Sequence, residues 1–193
     1  RTLLSIAIAA TLLQSPVYAQ SDRKVTNINR GWLFRQGESS SAITTEKAKA
    51  EGWKEVNLPH DFQIEQPWVA PAADEKANTS DAGANIKSRL SARGFKEMGS
   101  GWYVKAFTPS KEDKGKRVVI DFQGIMYLGD VYLNGKKIGG TDYGYEGFEI
   151  DITDKLRYGE ENTIAVYSNT ANPRDSRWYT GGGLFRDVNI VYT

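Results

Sequence analysis

Residues 116–140, KRVVIDFQGIMYLGDVYLNGKKIGG, restrict the fold more than any other stretch of the chain. Val118, Ile120 and Phe122 recur at every second position, and Val131 and Leu133 do the same on the next run, which is the period of a strand and not of a helix. Asn134-Gly135 then supplies the two residues that tolerate positive φ in a type I′ hairpin turn, and Lys136 to Ile138 is predicted to start the return strand. Such alternation buries one face of a sheet and leaves the other at least partly wet, as in an antiparallel sandwich.

The same pattern recurs along the chain. In GWLFRQG at 31–37, Trp32 and Phe34 alternate with Leu33 and Arg35, and in GWYVKAFTP at 101–109, Trp102, Val104 and Ala106 oppose Tyr103, Lys105 and Phe107 until Pro109 ends the strand. FEIDIT at 148–153, NTIAVYSN at 162–169 and LFRDVNIVYT at 184–193 follow suit. About eight short strands with glycine-rich connections predict an all-β chain, a jelly roll or related β-sandwich. Ser21 to Arg30 is polar and is expected to be a flexible start, Glu46 to Gly52 a helical turn, and residues 154–162 a second helical turn ending in a left-handed Gly159. Pro59 stops any ladder, so His60 and Asp61 are expected on an ordered exit loop. Residues 69–95 are the least sheet-like and form a long loop, a functional excursion or a mobile one, with a glycosylation sequon at Asn78-Thr79-Ser80.

Composition removes several function classes. With 25 cations against 24 anions and a net charge of +1, the 193-residue chain has no overall basic field for nucleic acid or an anionic membrane surface. Zero cysteines exclude disulfides and thiol chemistry, and one histidine leaves no Cys/His zinc site, so neither a metal nor a cofactor is predicted. Residues 1–20 resemble a leader peptide: Arg1, an apolar run from Leu3 to Leu13, and Val17-Tyr18-Ala19 as a small-residue cleavage site before Gln20. A run of about 11 helical residues covers little more than half of a ~30 Å hydrocarbon layer, so no membrane span is predicted. The expectation is an exported, periplasmic or extracellular protein whose domain occupies residues 21–193; the alternative is a soluble N-terminal helix.

The densest chemical candidate is the loop 169–186, NTANPRDSRWYTGGGLFR, which gathers Asp175, Arg177, Trp178 and Tyr179 between a stiffening Pro173 and three glycines. A sugar presents an apolar C–H face and a rim of hydroxyls, and its site needs an aromatic plate with fixed carboxylates, amides or guanidinium groups. Equally open is that Trp178 and Tyr179 plug the end of the sandwich while Asp175 and Arg177 form a local ion pair. Gly181 to Gly183 precede a strand, so they are no phosphate cradle. His60 beside Asp61 is more readily a structural residue than an acid–base catalyst. Glycoside hydrolysis needs two carboxyl groups, roughly 5 to 5.5 Å apart for retention, and no spacing here nominates a pair.

Taken in order, LPHDF at 58–62, GWYVKAF at 101–107, VYLNGKKIG at 131–139, YEGFEIDIT at 145–153, NTIAVYSN at 162–169 and SRWYTGGGLFRDV at 176–188 resemble the N-terminal sugar-binding domain of family 2 glycoside hydrolases. The LPHD and RWY-plus-glycine forms resemble the bacterial β-galactosidase side of that family more than the β-mannosidases. The resemblance implies a jelly roll of the galactose-binding type, followed by an immunoglobulin-like sandwich and a (β/α)₈ barrel that carries the two catalytic glutamates. It implies no catalytic residue in this domain. Loops of the family's first domain close one side of the barrel's pocket around the terminal sugar of a carbohydrate such as a β-galactoside. The matching positions are Asp61 and Asp175, with Arg177 and Trp178 shaping the second loop. The rival expectations are a self-sufficient carbohydrate-binding module and a purely architectural domain.

Overall fold

The computed structural model describes residues 23–69, 95–171 and 179–193. Ten strands and one short helix follow the order β1 (Lys24–Asn27), β2 (Trp32–Gln36), α1 (Thr45–Ala50), β3 (Lys54–Val56), β4 (Ser100–Phe107), β5 (Val118–Phe122), β6 (Leu128–Leu133), β7 (Lys136–Thr141), β8 (Phe148–Asp151), β9 (Asn162–Asn169) and β10 (Val188–Tyr192). They form two antiparallel sheets, β1-β10-β5-β8 and β3-β2-β4-β9-β6-β7. The predicted alternation decides how the sheets meet. Val118, Ile120 and Phe122 of the smaller sheet share one core with Trp32, Phe34, Tyr103, Val131, Leu133, Ile164 and Val166 of the larger. Each large side chain buried this completely contributes roughly 1.5–3 kcal/mol. The chain is therefore an all-β sandwich of two antiparallel sheets.

The larger sheet has a second, smaller apolar layer on its outer face. Leu33, Trp102, Val104 and Ala165 lie there under Ile43, Ala48 and Trp53, with Ala48 brought by α1. That helix forms where expected because Thr44 caps it, its hydroxyl accepting from the Lys47 N–H at 3.3 Å. At the Asn134-Gly135 turn both residues have positive φ, 50° and 81°, and Leu133 pairs with Lys136 across it. Although β5 and β6 are neighbours in sequence, they lie in different sheets, and residues 123–127 carry the chain from one to the other.

Three expectations are corrected. The polar start contains β1, a fully exposed edge strand joined to β10 by backbone pairing from Lys24–Tyr192 to Asn27–Asn189, and such an edge carries no apolar alternation to detect. The last strand begins at Val188 and not at residue 184, because the backbone of Gly182 to Leu184 bonds elsewhere. The helical turn is a 3-10 turn at Thr153–Lys155 that ends at Leu156, while Gly159, at φ 75°, sits in a separate turn and donates its N–H to Pro109 O at 2.8 Å. The leader-like residues and the sequon lie outside the described residues.

Candidate functional site

One end of the sandwich is built by backbone that cannot be strand. Leu58 N–H donates to Asn29 O, His60 N–H to Leu184 O and Phe62 N–H to Gly182 O, so residues 58–62 run against the glycine segment. On its other side, Gly183 exchanges both backbone bonds with Met126, at 2.9 and 2.6 Å. This close layering explains the glycines. A Cβ on Gly183, whose φ is 106°, would lie 2.1 Å from the Tyr103 hydroxyl, and one on Gly181, at φ 76°, would lie 2.7 Å from Asp61 Oδ2.

Asp61 is the polar centre of this end. Its Oδ1 accepts from Gln63 N–H at 2.9 Å, capping the 3-10 turn Phe62–Glu65, and from Gly182 N–H at 2.8 Å. Its Oδ2 accepts from the Tyr179 hydroxyl at 2.7 Å. Phe62 beneath it is fully buried. The half-buried Asp61 thus joins two loops more than a hundred residues apart.

His60 is held differently. Its Nδ1 lies 2.8 Å from the hydroxyl of the buried Tyr103, and its ring lies 5.0 Å from that of Phe34. Burial pushes the Tyr103 hydroxyl pKa well up, a backbone hydrogen bond from Leu184 opposing it, so the group stays protonated. Burial lowers the His60 pKa, with Glu65 opposing, which keeps the imidazole neutral at neutral pH. Nε2 has no hydrogen-bond partner among the described residues. In this packing the histidine is a wedge behind the loop.

Of the residues singled out by sequence, Asp61 sits at this end, whereas Asp175, Arg177 and Trp178 lie outside the described residues. Tyr179 is 39% exposed and bonded to Asp61, so it is no plug. Nothing in residue spacing pairs positions 118 apart, and the bond was missed for that reason. Sequence also gave no notice of an aromatic rim, Tyr143 and Tyr145, whose rings lie 5.7 Å apart, both exposed. Arg186 Nη1 ties that rim down by donating to Tyr145 O at 3.3 Å and Gln123 O at 3.2 Å. Among the described residues no cluster of His, Asp or Glu could hold a metal ion, and no helix is long and apolar enough to cross a membrane.

Two antiparallel sheets with a loop-built polar end define a β-sandwich, and the comparisons with known proteins narrow it to the galactose-binding-like kind. Residues 91–180 match the family described as glycosyl hydrolase 2 galactose-binding domain-like. The chain is 33% identical over 173 residues to the beta-galactosidase BoGH2A of Bacteroides ovatus, a match that covers 90% of this chain and 18% of the relative. It is 30% identical over 187 residues to a putative beta-glucuronidase of Formosa agariphila, covering 96% and 16%. Among solved structures, a beta-glycosidase from Bacteroides vulgatus superposes with a TM-score of 0.70 at 29% identity over 88% of this chain and 20% of that one. A glycosyl hydrolase family 2 member from Bacteroides cellulosilyticus gives 0.68 at 32% identity, with the same coverage of 88% and 20%. The chain belongs to the N-terminal, galactose-binding-like domains of family 2 glycoside hydrolases. It spans less than a fifth of the length of these curated relatives.

Proposed function

We propose that this domain forms one wall of the pocket that holds the terminal sugar in a larger, retaining β-glycosidase of the β-galactosidase type. The observation that carries the proposal is the half-buried Asp61 carboxylate, fixed at the loop end by Gln63 N–H, Gly182 N–H and the Tyr179 hydroxyl. Fixed acceptors of this kind orient a hydroxylated ring without breaking a bond in it. In this reading the nucleophile and the acid/base are glutamates of a (β/α)₈ barrel beyond an immunoglobulin-like domain, and Asp175 accepts a second sugar hydroxyl while Arg177 and Trp178 shape its loop. Related enzymes named for β-galactosides and β-glucuronides support the substrate class. The leader-like residues 1–20 support export to a periplasmic or extracellular pool of oligosaccharide.

The test is Asp61→Ala and Asp175→Ala in the full-length protein. Loss of one hydrogen bond to a charged acceptor is worth about 1.5–3 kcal/mol, so KM for a chromogenic β-galactoside should rise about 10- to 100-fold. Unchanged turnover in both variants, with stability intact, would leave only a scaffolding role. Calorimetric titration of the isolated domain with galactose and lactose should give no heat; a micromolar constant would instead favour a self-sufficient binding module.

A further inference from the structure

A carboxylate offers four acceptor positions, two on each oxygen. At Asp61 both positions on Oδ1 are filled, by the N–H groups of Gln63 at 2.9 Å and Gly182 at 2.8 Å, and one position on Oδ2 is filled by the Tyr179 hydroxyl at 2.7 Å. Among the described residues no other donor reaches this carboxylate. The donors come from three separate places, the 3-10 turn, the glycine segment and Tyr179, so they fix both the plane of the group and its rotation about that plane. Gly181 lets the backbone pass close to Oδ2 without a side chain in contact with it, since a Cβ there would stand 2.7 Å from Oδ2 and 3.0 Å from Cγ.

We infer that Tyr179 is a positioning residue: its hydroxyl holds Asp61 Oδ2 so that the single uncommitted lone pair accepts one hydroxyl of the terminal sugar. This rests on the reading of Asp61 as a sugar contact. It adds a limit on recognition. With Oδ1 saturated, Asp61 cannot grip two neighbouring hydroxyls in a two-pronged fashion and takes one donor only. The contact is made equally before and during bond cleavage, so it bears on KM more than on kcat.

The test is a double-mutant cycle in the full-length protein, assayed with nitrophenyl β-galactoside and nitrophenyl β-glucuronide, using whichever is hydrolysed faster. Tyr179→Phe keeps the ring and removes only the hydroxyl; KM should rise about three- to ten-fold with kcat within about two-fold, less than for loss of Asp61 itself because the carboxylate keeps its two backbone donors. Asp61→Ala should raise KM further. The double variant should be no worse than Asp61→Ala alone, because Tyr179 then has no carboxylate to hold. A purely structural role for Tyr179 predicts the opposite, a penalty that persists in the Asp61→Ala background. Either that full additivity or a silent Tyr179→Phe beside a damaged Asp61→Ala overturns the positioning role alone. If Asp61→Ala leaves KM unchanged, or the protein hydrolyses neither probe, the sugar-contact reading itself falls.

Discussion

Asn162 and Asp61 lie at opposite ends of the same sandwich, and each is held by several hydrogen bonds. Asn162 is fully buried, and all four of its amide positions are used: Oδ1 accepts from Arg157 N–H and Asn134 Nδ2, and Nδ2 donates to Arg157 O and Glu160 O, at 2.9 to 3.0 Å. Its partners lie within 28 residues. Asp61 is only half-buried, draws its donors partly from 118 and 121 residues away, and among the described residues keeps one acceptor position open. A saturated polar group stabilises the structure, whereas a braced group with a free valence can also meet a ligand.

Substitutions at the two ends should therefore part stability from recognition, and the largest effect tests how rigid the open end is. Gly183→Ala forces a Cβ against the Tyr103 hydroxyl at φ 106°. Strain and overpacking together should cost about 4 kcal/mol in urea unfolding, and a near-neutral result would mean that the glycine layer yields. Asn162→Ala strands the Asn134 amide and the Arg157 and Glu160 backbone groups, costing about 3 kcal/mol. Sugar affinity of the folded protein should not move, and a change there would break the contrast between the ends. Asp61→Ala removes a cap and two further bonds and should cost about 1–2 kcal/mol of stability, less than Asn162→Ala, while doing the greater harm to KM.

The smallest effect is one of pH. His60 is the one histidine in the sequence, and its pKa is lowered in the fold by burial. As pH falls through about 6.5, the unfolded chain takes up the proton before the folded one does, so stability must decline on acidification. A shallow loss between about pH 7 and 5, absent in His60→Gln, is the expected outcome. Asp113 adds a later acid limb. Burial alone would raise its pKa, but hydrogen bonds from Lys116 and Lys24 outweigh that and hold it below its ordinary value. That contribution is lost as pH drops below the carboxylate range, and Asp113→Asn should flatten it.

Strands were legible wherever apolar residues recur at every second position, which covers the central hairpin, β4, β8 and β9, although β4 and β9 turn out to be buried on both faces. Where only backbone bonds hold the chain, as in β1, or where glycine backbone replaces a strand, as before Val188, residue types carry no such imprint. Asp61 stood out through its place in LPHDF, but its service as a brace depends on Tyr179 and Gly182, which only the closed fold brings near. Asp175, Arg177 and Trp178 lie outside the described residues.

Trp68 and Lys96 form an antiparallel bridge, and Val69 N–H donates to Phe95 O at 2.7 Å, so the two positions that flank residues 70–94 are pinned side by side in a short stem. Because closing a longer loop on such a stem costs only about 0.6 kcal/mol per doubling of its length, this position is a natural port for grafting. Inserts of different size could be exchanged there without disturbing the register of either sheet.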